Sequence, residues 1–227
     1  MPTDKLQPPP QELRARVLSL AAGTPSPTRT VVKRRTLFWL GLGMLLPVVL
    51  FLLMGGAEQG PRPSLLFALT ASGTLSLSLV ALGAALAPGG RSLGPPRGRL
   101  LAIALALPVL LTLLKIGTSS AFPGMTAAWV SRPGLRCFGV SLLLGFAPLV
   151  AFLVARRSSD PVHPRAFGAA LGAAGGFWAA TLVDLWCPVG NPLHVVLGHA
   201  LPTLVLAALG AWAGARVLAT PGWTEER

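Results

Sequence analysis

The sequence predicts an all-α integral membrane protein: a bundle of six transmembrane helices that follows a short cytoplasmic N-terminal segment. Three observations support this prediction. Hydrophobic residues make up 52% of the 227 residues, whereas charged residues make up only 11%. Six separate apolar stretches are each long enough to cross a bilayer, since a helix of ~20 apolar residues spans ~30 Å of hydrocarbon. The basic residues between these stretches fall almost entirely on one side of the membrane.

An even number of spans places both termini on the same side of the membrane. We therefore predict three segments: a partner-binding head and linker at 1–36, the transmembrane domain at 37–220, and a cytoplasmic tail at 221–227. The six predicted spans, in chain order, are Leu37–Gly55, Ser64–Ala87, Arg99–Ile116, Cys137–Ala155, Ala166–Cys187 and Leu193–Ala219.

The positions of Lys and Arg predict the orientation, because positively charged loops are retained in the cytoplasm. With the N-terminus inside, only four of the 19 basic residues fall on the outer side: Arg62, Lys115, Arg132 and Arg136. This bias accounts for most of the net charge of +12. The charge therefore does not indicate direct binding of nucleic acid.

The N-terminal segment contains one predicted short helix, in which Leu13, Val17 and Leu20 recur at helical spacing beside Arg14 and Arg16. The sequence GTPSPTR that follows is predicted to end this helix and to act as a linker. About a dozen residues rarely hold a helix in water alone, so another surface must order it. Two interpretations stay open: an interfacial helix on anionic lipid, or a docking peptide whose apolar stripe fits a groove in a cytoplasmic protein.

The fifth span carries a face of small residues, with Gly168, Gly172 and Gly176 repeating every four positions. Such a face lets a neighbouring helix backbone approach closely. We predict that it packs inside the bundle or against a second copy in a homodimer. Gly210 and Gly214 on the last span form a weaker version of the same pattern.

Two ionisable residues are predicted at membrane depth near the outer surface. Lys115 lies near the outer end of the third span and Asp184 near the outer end of the fifth. Because charges inside a membrane are costly, each one indicates a functional site, and their opposite signs predict an ion pair. The alternative is that Lys115 extends alone to the outer headgroups while Asp184 accepts hydrogen bonds from a neighbouring helix.

Four further side chains at the predicted outer surface suggest redox or metal chemistry: Cys137, Cys187, His194 and His199. The two cysteines could form a disulfide if their Cα atoms lie within ~7 Å. Together with the histidines they are also suitable ligands for zinc, cadmium or copper. A purely structural role stays open, because the histidines are five residues apart, which splays them on an α-helix, and no CxxC motif is present. No set of residues points to an enzyme, and no cofactor is required.

The C-terminal half resembles a known family in three runs of sequence: RCFGVSLLLGFAPLVAFLVARR, HPRAFGAALGAAGGFWAATLVDLWCP and NPLHVVLGHALP. They are similar to the NrsF-type bacterial anti-sigma factors, six-span proteins of the inner membrane, and to the six-span CarR proteins of myxobacteria. The paired cysteines of NrsF-type proteins match Cys137 and Cys187. Trp186 stands where that family commonly has a His before the second cysteine.

The resemblance implies a function for the chain. Its N-terminal segment would hold an extracytoplasmic-function sigma factor at the membrane until an envelope signal, which could be a metal, a redox change or light through singlet oxygen, releases it. No small-molecule substrate is expected for such a regulator. The alternative from the residues is a small multi-span transporter or channel that uses Lys115, Asp184 and the outer Cys and His residues as a binding site.

Overall fold

The computed structural model describes residues 10–12, 15–16, 19, 29–56, 64–86, 95–120, 134–157, 161–187 and 189–218, and all regular secondary structure in these ranges is helical. The chain divides into two compact units, Met1–Arg35 and Thr36–Arg227. In the first unit, Arg16 is helical and exposed. The other residues of the predicted docking peptide, Leu13, Arg14, Val17 and Leu20, lie outside the described residues.

Within the described ranges, six longer helices follow along the chain. Two of them, α3 and α6, each contain a π-helical stretch between two α-helical parts. The bounds are α1 Arg29–Leu53, α2 Ser64–Leu86, α3 Arg97–Leu101 with Ala102–Ala106 and Leu107–Ser120, α4 Leu135–Arg156, α5 Pro164–Trp186, and α6 Pro192–Val195 with Val196–Ala200 and Leu201–Val217.

All six helices coincide with predicted spans. Five of them are long and apolar enough to cross a membrane, namely α1 and α3 to α6, and α2 contains a shorter apolar stretch, Ala68–Ala84. The ends of α2 to α6 differ from the predicted bounds by at most four residues. The larger difference is at α1, which begins at Arg29 instead of Leu37. Its basic first turns include Lys33, Arg34 and Arg35, and because Lys and Arg are good helix formers they continue the helix beyond the apolar stretch.

The surface of the bundle is apolar, as expected for contact with lipid. Large side chains such as Leu45, Leu53, Leu113, Leu143 and Phe146 are each more than half exposed. Soluble proteins rarely expose so much contiguous apolar surface to water. The described surface therefore fits a hydrocarbon environment.

Helix α5 lies at the centre of the bundle and packs against α2, α3, α4 and α6. Its large apolar side chains, Phe167, Leu171 and Phe177, are completely buried. Its other positions are mostly Gly and Ala, which leave room for the surrounding helices. The sequence of α5 thus explains why four neighbours can reach it at once.

The face of α5 that carries Gly168, Gly172 and Gly176 packs against α6. A Cβ added to Gly168 would overlap the carbonyl oxygen of Gly210, and one added to Gly172 would overlap that of Leu206. The weaker glycine pattern on α6 is the other half of this contact. Of the two predicted roles for this face, packing within the bundle is therefore the one observed. The face is not available to a second copy of the chain.

The π-helical stretches in α3 and α6 were not predicted from the sequence. Each stretch ends two residues before a proline, Pro108 in α3 and Pro202 in α6. A proline cannot donate to the carbonyl four residues earlier, and its ring clashes with that group. The two carbonyls concerned belong to Ala104 and Gly198, and both lie inside the π stretches. Widening the helix at these points relieves the clash.

Candidate functional site

Four metal-ligating side chains meet at one end of the bundle: Cys137, Cys187, His194 and His199. Their ligand atoms all lie within 4.8 Å of one another, and all four residues are buried. They come from three places in the chain, the first turn of α4, the residue after α5, and the first two turns of α6. We name this group the Cys/His cluster.

Two glycines allow α4 to bring Cys137 into the cluster. Gly134 precedes α4 with a φ of 89°, a left-handed conformation that favours glycine. A Cβ added to Gly134 would lie 3.2 Å from the carbonyl oxygen of His194, and one added to Gly198 would lie 3.0 Å from the Cβ of Cys137. The start of α4 can approach α6 this closely only because both positions lack a side chain.

Cys187 and His194 are joined by a short connection. The residue after Cys187 is a proline, which favours an extended conformation at Cys187, and α5 ends there. The side-chain oxygen of Asn191 then accepts a hydrogen bond from the backbone N–H of Leu193 and starts α6. His194 therefore lies in the first turn of α6, where its Nε2 is 3.1 Å from the Sγ of Cys187.

The π-helical stretch brings the two histidines to the same face of α6. In a regular α-helix, five residues turn the chain by ~500°, so His194 and His199 would point ~140° apart. A π-turn closes hydrogen bonds between residues five apart and so places such residues near each other. Their ring centroids are 5.6 Å apart. The prediction that the five-residue spacing splays these histidines is therefore wrong, because α6 is not an α-helix throughout.

A hydrogen bond between helices supports the π-helical stretch. Pro202 cannot donate to the carbonyl of Gly198, and the hydroxyl of Ser141 on α4 donates to this oxygen at 3.2 Å. Ser141 is buried one turn after Cys137. It therefore links the helix that carries Cys137 to the stretch that carries His199.

Lys115, Asp184 and His199 form a second buried group beside the cluster, which we name the ion-pair triad. The Nζ of Lys115 is 2.5 Å from Oδ1 of Asp184, and the Nδ1 of His199 is 2.9 Å from the same oxygen. The sequence predicted the contact between Lys115 and Asp184, and the structure brings these residues together. It did not predict the contact with His199, which depends on the π-helical stretch.

The geometry of the triad indicates the tautomer of His199. A carboxylate only accepts hydrogen bonds, so a contact of 2.9 Å to Nδ1 requires a proton on Nδ1. Nζ of Lys115 is farther from Nδ1, at 3.4 Å. In the neutral imidazole the other ring nitrogen, Nε2, is then the lone-pair acceptor. It is buried and has no hydrogen-bond partner within the part of the chain that the structure describes.

The cluster has the chemistry of a soft-metal or redox site. Both thiols are free and buried. Among the described residues, its ligand atoms are sulfur and nitrogen, which suit zinc and cadmium better than magnesium or calcium. Sequence reasoning missed Ser141, Gly134 and Gly198 as supporting residues. Pro202, four residues after Gly198, was a signal that could have revealed the contact between Ser141 and Gly198.

A family model described as NrsF, negative regulator of sigma F, matches residues 20–219. Comparison with curated proteins and with solved structures finds no match. The matched region contains all six helices, the Cys/His cluster and the ion-pair triad.

Proposed function

Because the chain belongs to the NrsF family, the negative regulators of sigma F, we propose that it is a membrane-bound anti-sigma factor for a sigma factor of the extracytoplasmic-function class. In this proposal the N-terminal segment, with Leu13, Arg14, Arg16, Val17 and Leu20, holds the sigma factor at the bacterial inner membrane. The single observation that carries the proposal is the family match across residues 20–219. It favours regulation over transport or catalysis.

The position of the Cys/His cluster supports a sensing role. A small pocket near it is lined by Phe51 and Met54 from the end of α1 and by Arg136 and Trp186 from α4 and α5. The cluster thus lies at the end of the bundle where α1 finishes. Thr36 is the first residue of the unit Thr36–Arg227. It lies roughly 25 Å from Leu53, the last residue of α1, measured along the helix axis. With the N-terminal segment in the cytoplasm, the cluster faces the outer compartment.

We propose that the signal acts on Cys137 and Cys187 and shifts the bundle between two states. A ligand can shift such an equilibrium only by its difference in affinity for the two states. A coupling of 1–3 kcal/mol changes the affinity for a partner by ~5- to 150-fold. That range is sufficient to release a bound sigma factor.

The proposed docking peptide is tested by Leu13→Asp or Val17→Asp in the full chain. A charge in the apolar stripe should prevent it from entering a groove on the partner. We expect co-purification of the sigma factor from native membranes to fall at least tenfold. Ser19→Asp is the matched control, because it adds the same charge outside the stripe and Ser19 is exposed. Unchanged co-purification with the Leu13 variant would contradict docking through this stripe.

The proposed sensor is tested by replacing Cys137 and Cys187 together with Ser. Serine keeps the size of the side chain but is a poor ligand for soft metals and cannot form a disulfide. We expect repression of a sigma-dependent reporter to persist and induction by cadmium or by oxidants to be lost. A double variant that remains fully inducible would contradict the role of these thiols.

A further inference from the structure

We infer that Asp184 is a positioning residue for His199. Held by Asp184, His199 completes a four-ligand site for a thiophilic divalent cation, together with Cys137, Cys187 and His194. This inference rests on the proposed function, since it specifies the ligand set and the support of the proposed sensor. It is carried by the contact between Asp184 and Nδ1 of His199, by the membership of His199 in the Cys/His cluster, and by its buried Nε2, which has no hydrogen-bond partner among the described residues.

Asp184 orients the ring of His199. A histidine ligand needs its coordinating nitrogen unprotonated and its ring held in one position, and a carboxylate bonded to the other nitrogen achieves both. Asp184 makes this contact with Nδ1 of His199 at 2.9 Å. Because Asp184 occupies Nδ1, Nε2 is the nitrogen of His199 that can bind a metal, and it is buried without a hydrogen bond among the described residues. Buried polar atoms in proteins nearly always have a partner, so an unpartnered one needs an explanation such as an unseen ion.

The size of the Cys/His cluster suits a single zinc-sized ion. In tetrahedral zinc sites the metal lies ~2.3 Å from sulfur and ~2.0–2.1 Å from nitrogen, so ligand atoms are separated by ~3.3–3.8 Å. The ligand atoms of the cluster lie within 4.8 Å of one another, and Sγ of Cys187 is already 3.1 Å from Nε2 of His194. Small side-chain rotations would close the remaining gap. The cluster therefore fits one ion of this size.

The charge of the Cys/His cluster favours a divalent cation. An uncompensated charge is costly in a buried site at the edge of a membrane. Two thiolates neutralise a divalent cation, and the two thiol protons leave when it binds. Lys115 separately neutralises Asp184, since its Nζ lies 2.5 Å from Oδ1 of Asp184. The cluster with its ion and the pair of Lys115 with Asp184 are then each electrically neutral, which favours a divalent over a monovalent or trivalent cation.

Cobalt titration of the full chain, purified in detergent without a sigma factor and under reducing, oxygen-free conditions, tests the inference. We expect one Co²⁺ per chain, with the visible ligand-field bands of a tetrahedral site and a thiolate-to-metal charge-transfer band. Competition with Zn²⁺ then gives the zinc affinity. Replacing Asp184 with Asn should lower that affinity by ~10- to 100-fold, the usual effect of losing a supporting carboxylate.

Because Asp184→Asn leaves the charge of Lys115 buried alone, a charge-balanced variant, Lys115→Gln with Asp184→Asn, is measured as well. It should show the same loss of affinity. Thr181→Val is the matched control on α5, since among the described residues the Thr181 hydroxyl bonds the carbonyl of Phe177 in its own helix. The control should keep the wild-type affinity.

Two results would overturn the inference. Absence of a tetrahedral Co²⁺ spectrum in the wild-type chain would exclude the site, and wild-type zinc affinity in the charge-balanced variant would exclude the role of Asp184. Sigma-factor capture is measured separately from these titrations. A chain that captures the sigma factor but binds no metal contradicts only this inference, and a chain that binds metal but captures no sigma factor contradicts only the proposed function.

Discussion

Hydroxyl groups in the bundle are used in two different ways at the scale of single residues. Thr74, Thr112 and Thr181 each donate to a carbonyl of their own helix, which satisfies the hydroxyl inside the membrane but joins nothing. Ser141 instead donates to Gly198 on another helix. Only this second kind of hydrogen bond holds two of the described helices in register.

We predict that Ser141→Ala destabilises the bundle. The substitution removes the donor from a carbonyl that Pro202 already deprives of its helical partner, and hydrogen bonds between membrane helices contribute about 0.5–2 kcal/mol. The measurement is the free energy of unfolding in a titration from mild detergent to SDS. Ser72→Ala is the control, because the Ser72 hydroxyl is exposed and bonds its own helix. Equal stability of the two variants would contradict the proposed role of Ser141.

Much of the candidate site was predictable from single residues. Cys137, Cys187, His194, Lys115 and Asp184 all lie close to helix ends, so the span bounds alone placed them at one surface. The position of His199 relative to Asp184 was not predictable, because it depends on a local change of helix type. A prediction from sequence periodicity assumes one turn geometry throughout a helix, so it cannot detect such a change.

The contact between α5 and α6 shows how glycine sets the distance between two elements. Gly168 and Gly172 face backbone atoms of α6, whereas Gly83 on α2 has no neighbour within 4 Å of where a Cβ would be. The same residue type is therefore essential at some positions and replaceable at others. The repeat of four residues predicted the small face, and the facing glycines of α6 identify its partner.

We predict opposite effects for the same substitution at Gly172 and Gly83. At Gly172 an added methyl group overlaps the Leu206 carbonyl oxygen, which is backbone and cannot rotate away, so the helices must separate at a cost of about 1–3 kcal/mol. At Gly83 the methyl group is free of contacts, and Ala is the better helix former by up to ~1 kcal/mol. Unfolding titrations of Gly172→Ala and Gly83→Ala measure both. A Gly172 variant as stable as wild type would show that α5 and α6 do not need this close approach.

The helices themselves were predictable because their apolar length is set by the thickness of the bilayer. Their ends in α2 to α6 were predicted within four residues. The start of α1 was not, since an apolar window cannot detect a helix that continues into basic residues. The π-helical stretches were not predicted either, although each is followed by a proline, Pro108 in α3 and Pro202 in α6.

At the scale of the whole molecule, the distribution of basic residues predicts one orientation. We expect reporter fusions after residue 28 and within 158–160 to be active only as cytoplasmic reporters, and fusions within 57–63 only as outer-compartment reporters. Fusions within 87–94 provide the internal control, because they should match the first pair if α2 crosses the membrane. A cytoplasmic result at 57–63 would contradict the proposed separation of the sensor from the N-terminal segment.

The family and the presence of membrane-spanning helices could be anticipated from the sequence, because they follow from patterns spread over many residues. The identity of the sigma factor could not. Recognition of a partner depends on a few side chains whose contacts exist only in the complex. No pattern in the sequence identifies the inducing signal either, since the same thiols and imidazoles serve metal binding and oxidation.

The central position of α5 has a consequence for biosynthesis. Of the five long apolar helices it is the least hydrophobic by mean hydropathy, and it leaves the ribosome before α6, the helix that covers its glycines. A nascent chain halted after Cys187 would expose a Gly- and Ala-rich segment to lipid, where it is held in the bilayer only weakly. Stable insertion of the fifth helix by the translocon should therefore depend on synthesis of the sixth.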